Sequence, residues 1–192
     1  ASISGVYLAY FDDQLNHQWT ALIDSTPSAI TKVNSVSSFP NGDIAVVGYS
    51  QTGPGTTGKL VAKRFDVSGN RLWSVEIDSA GVADEGKDIA VNGIGLVAVT
   101  GSSGAATVVA VIDGATGNLL WRTIYNPTAS STEYGVKVRY GPGNSITIIS
   151  RGWSGFVARY FTASFHTITG SMLWSNSYDQ TASDREPLEL IV

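Results

Sequence analysis

Trp19, Trp73, Trp121 and Trp174 each stand behind the same kind of turn: Asn16-His17-Gln18-Trp19, Gly69-Asn70-Arg71-Leu72-Trp73, Gly117-Asn118-Leu119-Leu120-Trp121 and Gly170-Ser171-Met172-Leu173-Trp174. They are separated by 54, 48 and 53 residues. A repeat of about 50 residues, each unit holding several short strands, is the pattern of β-propeller blades or a related β-repeat array. The fold class expected is therefore all-β: a propeller of about four four-stranded antiparallel blades in one domain. The approximate repeats are 5–57, 58–105, 106–155 and a truncated 156–192. Such a repeat constrains architecture strongly and function hardly at all.

Within each unit, period-two alternation bounded by Gly, Pro, Asn and Asp gives four strand steps. The first is seen in Lys87-Asp88-Ile89-Ala90-Val91. The second is strongly β-prone and ends on small residues, as in Leu96-Val97-Ala98-Val99-Thr100-Gly101. The third reads Leu60-Val61-Ala62-Lys63-Arg64-Phe65 or Phe156-Val157-Ala158-Arg159-Tyr160-Phe161, and the fourth carries the tryptophan. Between the third and fourth, Asp66-Val67-Ser68-Gly69-Asn70 and Asp113-Gly114-Ala115-Thr116-Gly117-Asn118 have an Asp to accept backbone N–H groups and a Gly for a positive φ. The first repeat keeps Asp12 but has Leu15 where the Gly is expected, and the fourth has His166 where the third has Asp113.

The stretch Val111-Ile112-Asp113-Gly114-Ala115-Thr116-Gly117-Asn118-Leu119-Leu120-Trp121 resembles the tryptophan-docking repeat of the PQQ-like propeller superfamily. The second repeat, from Asp66 through Asp84-Glu85-Gly86-Lys87-Asp88-Ile89-Ala90-Val91 to Thr100-Gly101, is similar to the SBBP-type extracellular propeller repeats of bacteria and archaea. The resemblance implies blades in which Trp19, Trp73, Trp121 and Trp174 dock flat between neighbouring sheets as structural residues. It also implies that the third and fourth steps are outer strands. The chain then starts on outer strands, runs through three whole blades and reaches residues 187–192 as the inner strand of another, one strand short of four blades. The ring could close with a defective seam, belong to a longer propeller, or take the missing strand from a neighbouring chain by β-augmentation.

Composition narrows the function classes. At 192 residues the chain can bury roughly 70 % of its unfolded surface without the help of disulfides, and it has no cysteine. That removes thiolate zinc sites and cysteine nucleophiles and leaves the redox compartment open. Charged residues are 15 % of the chain and the net charge is −4, with no basic run to track phosphates, so nucleic acid is not expected as a partner. No apolar run approaches membrane-spanning length. The chain opens at Ala1, which fits signal-peptide removal or trimming, and together with the hydroxyl-rich composition this sets an extracellular or cell-surface expectation. No Asn-x-Ser/Thr glycosylation acceptor occurs.

Candidate chemistry is sparse. His17 and His166 lie in equivalent turns of different repeats, which separates them and argues against a triad or a two-His metal site. Asp84, Glu85 and Asp88, with Asp78 upstream, form the densest acidic cluster. They are the calcium candidates, although the EF-type spacing is missing. The glycine-rich residues 51–58 lack the Lys-Ser/Thr and the helix of a phosphate loop. The PQQ cofactor is not expected, because its metal-binding and quinone-contacting set is not present. Tyr49, Arg151 and Trp153 depart from the repeat near the expected propeller mouth and are the candidate ligand or partner contacts. No catalytic residue stands out, so the chain reads as a non-enzyme: a secreted or surface assembly protein, homo-oligomeric or polymeric, contacting other copies or envelope proteins. The alternative is a carbohydrate- or protein-binding propeller.

Overall fold

A computed structural model of the chain describes residues 6–24, 30–53, 55–128, 132–154, 157–180 and 189–191. Among them there is no helix, and fourteen strands form four antiparallel sheets. The first sheet holds only β1 (Val6–Phe11) and β2 (His17–Asp24). Three four-stranded sheets follow, each a meander in chain order. They are β3 (Ile30–Ser38), β4 (Ile44–Gln51), β5 (Lys59–Phe65) and β6 (Arg71–Ile77); β7 (Asp84–Val91), β8 (Leu96–Ser103), β9 (Ala106–Asp113) and β10 (Leu119–Tyr125); then β11 (Thr132–Gly141), β12 (Ser145–Ser154), β13 (Val157–His166) and β14 (Met172–Gln180). These are blades of an incomplete β-propeller, three of them whole, with the phase expected from the tryptophan repeat. Of residues 187–192, expected as a further inner strand, only 189–191 are described, and these lie outside any strand.

The sheets form meanders because short strands, many of them rich in β-branched residues, follow one another through short connections. They stack because their apolar residues are on both faces. In the third sheet Val97, Val99, Val108 and Ile112 pack toward the second sheet with Val47, Leu60 and Trp73. Ala98, Val109 and Val111 on the opposite face pack toward the fourth with Ile146, Ile148 and Phe165. As a result β9 is buried from Ala106 to Ile112 without interruption. Each Val or Ile so enclosed contributes about 1.5–3 kcal/mol relative to exposure.

The tryptophans join one sheet to the next. The indole N–H of Trp19 donates to the Val67 carbonyl at 2.7 Å, that of Trp73 to Gly114 at 2.6 Å and that of Trp121 to Thr167 at 2.7 Å. Each acceptor lies in the hairpin turn of the following sheet. The turn glycine lies directly on the docked ring: a Cβ at Gly69, Gly117 or Gly170 would stand 2.9, 2.9 or 2.7 Å from the indole it faces. All three have positive φ. Glycine is required here twice over, for the backbone turn and for the room its missing side chain leaves to the tryptophan. Trp174 has the same phase in β14 but is 49 % exposed.

The turns are held by their acidic caps. Asp66 accepts from the backbone of Ser68 and Asn70 and from the Asn70 amide side chain, and Asp12 repeats the pattern with Gln14 and Asn16. Leu15 takes the glycine position with φ 65°. Asp113 accepts from Thr116 backbone and hydroxyl. In the fourth sheet His166 does the same work through Nδ1, which accepts from the N–H groups of Ile168 and Thr169 at 3.3 Å each. Hydrogen bonds from Asn70, first its side chain and then its backbone, hold the Asp66 carboxyl below its ordinary range; backbone bonds from Asn16 and Thr116 lead the same effect at Asp12 and Asp113.

Two predictions follow from these seams and caps. Trp73→Ala and Trp121→Ala each lower stability by about 3–5 kcal/mol in denaturant unfolding, and Gly117→Ala by about 1–3 kcal/mol, while Trp174→Ala changes it by less than about 1 kcal/mol. For Asp66, a depressed folded pKa means a stabilising contribution complete above the unfolded value of 3.8 and lost as pH falls through the lower folded value. Asp66→Asn therefore melts below the parent at neutral pH, and the gap closes in melting curves recorded below about pH 4.

Candidate functional site

The inner strands β3, β7 and β11 carry most of the polar chemistry that bridges sheets. The bulge in each inner pair, between Val33 and Ser35, Gly86 and Asp88, and Gly135 and Lys137, places Ser35, Asp88 and Lys137 at one level. Asp88 is 2 % exposed and its carboxylate joins all three strands. Oδ1 accepts from the Ser35 hydroxyl of β3 at 2.8 Å, and Oδ2 from the Val138 N–H at 3.0 Å and the Arg139 Nη1 at 2.7 Å, both of β11. Lys137 Nζ is 3.9 Å from Oδ1. A buried charge is tolerable only when paired and hydrogen-bonded in this way. Arg139 then reaches outward, its Nη2 donating to Glu189 at 2.8 Å. The Leu190 N–H and, after it, the Arg139 charge hold the Glu189 carboxyl below its usual range.

Glu85 is engaged separately. Its carboxylate meets Asn34 at 2.8 Å, Lys87 at 2.8 Å and Lys32 at 3.3 Å. Partial burial alone would raise its pKa, but these lysines and the Asn34 amide outweigh it and the net direction is downward. Asp84 is fully buried, and its Oδ2 accepts the Ser79 N–H. The three calcium candidates are thus neighbours in sequence that serve three different bonds: a loop anchor, a surface ion-pair cluster and a bridge between strands. Among the described residues no three His, Asp or Glu side chains come together as a metal-binding group.

Of the three candidate contact residues, two meet. The Arg151 guanidinium lies 4.8 Å over the Trp153 ring on β12, and its Nη1 is 3.4 Å from the Tyr134 hydroxyl. Arg151 is buried, so this pair stiffens the end of β12, and the cation covers one face of the indole. Tyr49 stands on β4, with the whole third sheet between it and Trp153. Its ring lies on Gly58, where a Cβ would come within 1.8 Å, and its hydroxyl bonds the Gln51 side chain, which in turn holds the Thr56 carbonyl. Tyr49 thus organises the 51–58 loop. The two histidines are far apart in role: His17 pairs with the Thr20 hydroxyl at 2.7 Å and His166 caps its turn.

Sequence reading did not single out Lys32, Asn34, Ser35, Lys137, Arg139 and Glu189 as partners of the acidic cluster. The signal was present in the register, since Ser35, Asp88 and Lys137 hold the same step of successive first strands, but a neutral, an acidic and a basic residue at one step do not read as a repeat. It also did not foresee the buried ion pair of Arg64 with Asp43, over which the Phe39 ring stacks 4.0 Å from the guanidinium carbon. An outer cleft of about 410 Å³ between β10 and β14 is lined by Tyr125, Asn126, Phe165, Met172 and Ser175. No titratable pair converges there.

No protein-family model matches the chain, and no curated protein matches it. Among the described residues no helix is long and apolar enough to cross a membrane.

The bridge at Asp88 gives a direct test. Asp88→Ala leaves the buried Val138 N–H without its acceptor and removes the buried carboxylate paired with Arg139, and is expected to lower unfolding free energy by about 2–4 kcal/mol. Lys137→Ala, at longer range and partly exposed, should change it by less than about 0.5 kcal/mol.

Proposed function

We propose that this chain is a structural, assembly-type propeller protein of the cell surface or extracellular space, with blades of the tryptophan-docking, SBBP-like kind, whose task is association with other copies of itself or with envelope components. One observation carries the reading. The first sheet has two strands where the other three have four, so the edge of β1 away from β2 is unpaired among the described residues. In the three whole sheets the equivalent strands β5, β9 and β13 are paired on both edges. An unpaired edge beside apolar residues is a template for another strand. The polar clusters support a non-catalytic role, because Asp84, Glu85 and Asp88 are each committed to bonds within the fold. The extracellular setting rests on the low charge, the abundant Ser and Thr and the repeat resemblance. A glycan- or protein-binding propeller working through Tyr49, Arg151 and Trp153 has less support: Tyr49 is spent on its own loop and Arg151 shields Trp153.

Multi-angle light scattering of the purified chain over a concentration series tests this reading. Masses at multiples of 20.2 kDa that grow with concentration are the expected result. A single species at the chain mass throughout would overturn it.

A further inference from the structure

The three seams between sheets share one construction. One half is an indole on the fourth strand, Trp19, Trp73 or Trp121. The other is the next sheet's turn, with an accepting carbonyl, a glycine under the ring, and an apolar residue closing the third strand: Phe65, Ile112 or Phe165, all buried. The two halves of a fourth seam are both present and, among the described residues, both leave their aromatic side chains half-exposed. On β14, Trp174 pairs with Ser164 in the register in which Trp73 pairs with Arg64, and it is half-exposed with Tyr178 on the same face. On the first sheet, Phe11 holds the place of Phe65 but is 50 % exposed; Tyr7, on its face in the place of buried Val61, is also 50 % exposed. Its turn is capped by Asp12 as the 66–70 turn is by Asp66, which puts the Asp13 carbonyl in the position of Val67.

We propose that these two faces dock head to tail between copies of this chain: the β13–β14 face of one copy covers the β1–β2 face of a second, and the Trp174 indole N–H donates to the second copy's Asp13 carbonyl. The inference rests on the self-association reading and names its surface. The occupant is a second copy because each half-exposed face is the missing complement of the other and continues the seam already repeated three times. The two faces differ, so the contact is heterologous, and each pair formed leaves one free face of each kind for a ring or a filament. Two departures make this seam weaker than the internal ones. Thr162 and Asn176 stand where Ala62 and Val75 stand in the second sheet, which makes the face wetter. Leu15 replaces the glycine under the ring, and a Cβ at the equivalent Gly69 would stand 2.9 Å from Trp19. The incoming indole must therefore sit farther from this turn than it would from a glycine. Together these suit an interface that opens and closes.

The test uses the full chain in sedimentation velocity, with circular dichroism to confirm that the sheets persist. Trp174→Asp and Phe11→Asp, both at half-exposed positions, each raise the dissociation constant at least about tenfold. An equimolar mixture of the two variants restores a two-chain species and nothing larger, because only one intact head and one intact tail remain between them. Leu15→Gly tightens association, a gain that no folding defect can mimic. If the parent associates while the Asp variants associate equally well, or the mixture fails to recover pairs, or Leu15→Gly leaves affinity unchanged, the seam is wrong and self-association uses another surface such as the β1 edge. If the parent is monomeric at every concentration, the self-association reading itself falls, and this seam with it.

Discussion

The indole hydrogen bond across each seam is the contact on which the stacked arrangement depends. A sheet buried on two faces has no intrinsic reason to choose the angle at which it meets its neighbour, since apolar contact is non-directional. A tryptophan whose N–H must reach one carbonyl, with its ring flat on one glycine, supplies that direction. Trp73 meets Gly114 and Gly117 together, so displacing the ring loses a hydrogen bond and a close contact at the same time. The apolar clusters then fill the space that the tryptophans have set.

At the inner end of the same sheets a polar counterpart appears. Asp88 connects β3, β7 and β11 through donors of different kinds: a hydroxyl, a backbone N–H and a guanidinium. The second, third and fourth sheets are thus fixed to one another twice, by an indole toward the outer strands and by a carboxylate on the inner ones. Two separated attachments resist rotation where one would act as a pivot. Of the acidic cluster that reads as a cation site in sequence, Asp88 is the member that holds three blades together.

Much of the fold was legible in the sequence because its signals are local and repeat. The Trp interval gave the phase, the Asp-to-Gly turn gave the hairpin between third and fourth strands, and the order of steps placed β1 and β2 as an unfinished pair. The site was less legible because its contacts are between repeats and depend on register. Nothing in Lys87-Asp88-Ile89 announces that Asp88 will accept from a backbone N–H fifty residues later. His166 shows the same limit in miniature: it breaks the Asp pattern by residue type yet keeps its chemistry, because Nδ1 presents a lone pair where the carboxylate would. Likewise Arg151 and Trp153 stand out as departures from the repeat, but only their stacking shows that they satisfy each other.

The uninterrupted burial of β9 has a consequence for how the molecule comes apart. Among the described residues the main contacts of each sheet are with the sheets before and after it, so local stability depends on how many neighbours a sheet has, as in a one-dimensional array. The third sheet has two, and its β9 lies at the centre of both apolar clusters. Among the described residues, the first sheet and the fourth each have one neighbouring sheet. Amide protons should therefore exchange in a gradient along the chain, slowest around Val108 to Ile112 and fastest toward β1 and β14, with opening that begins at the ends and moves inward.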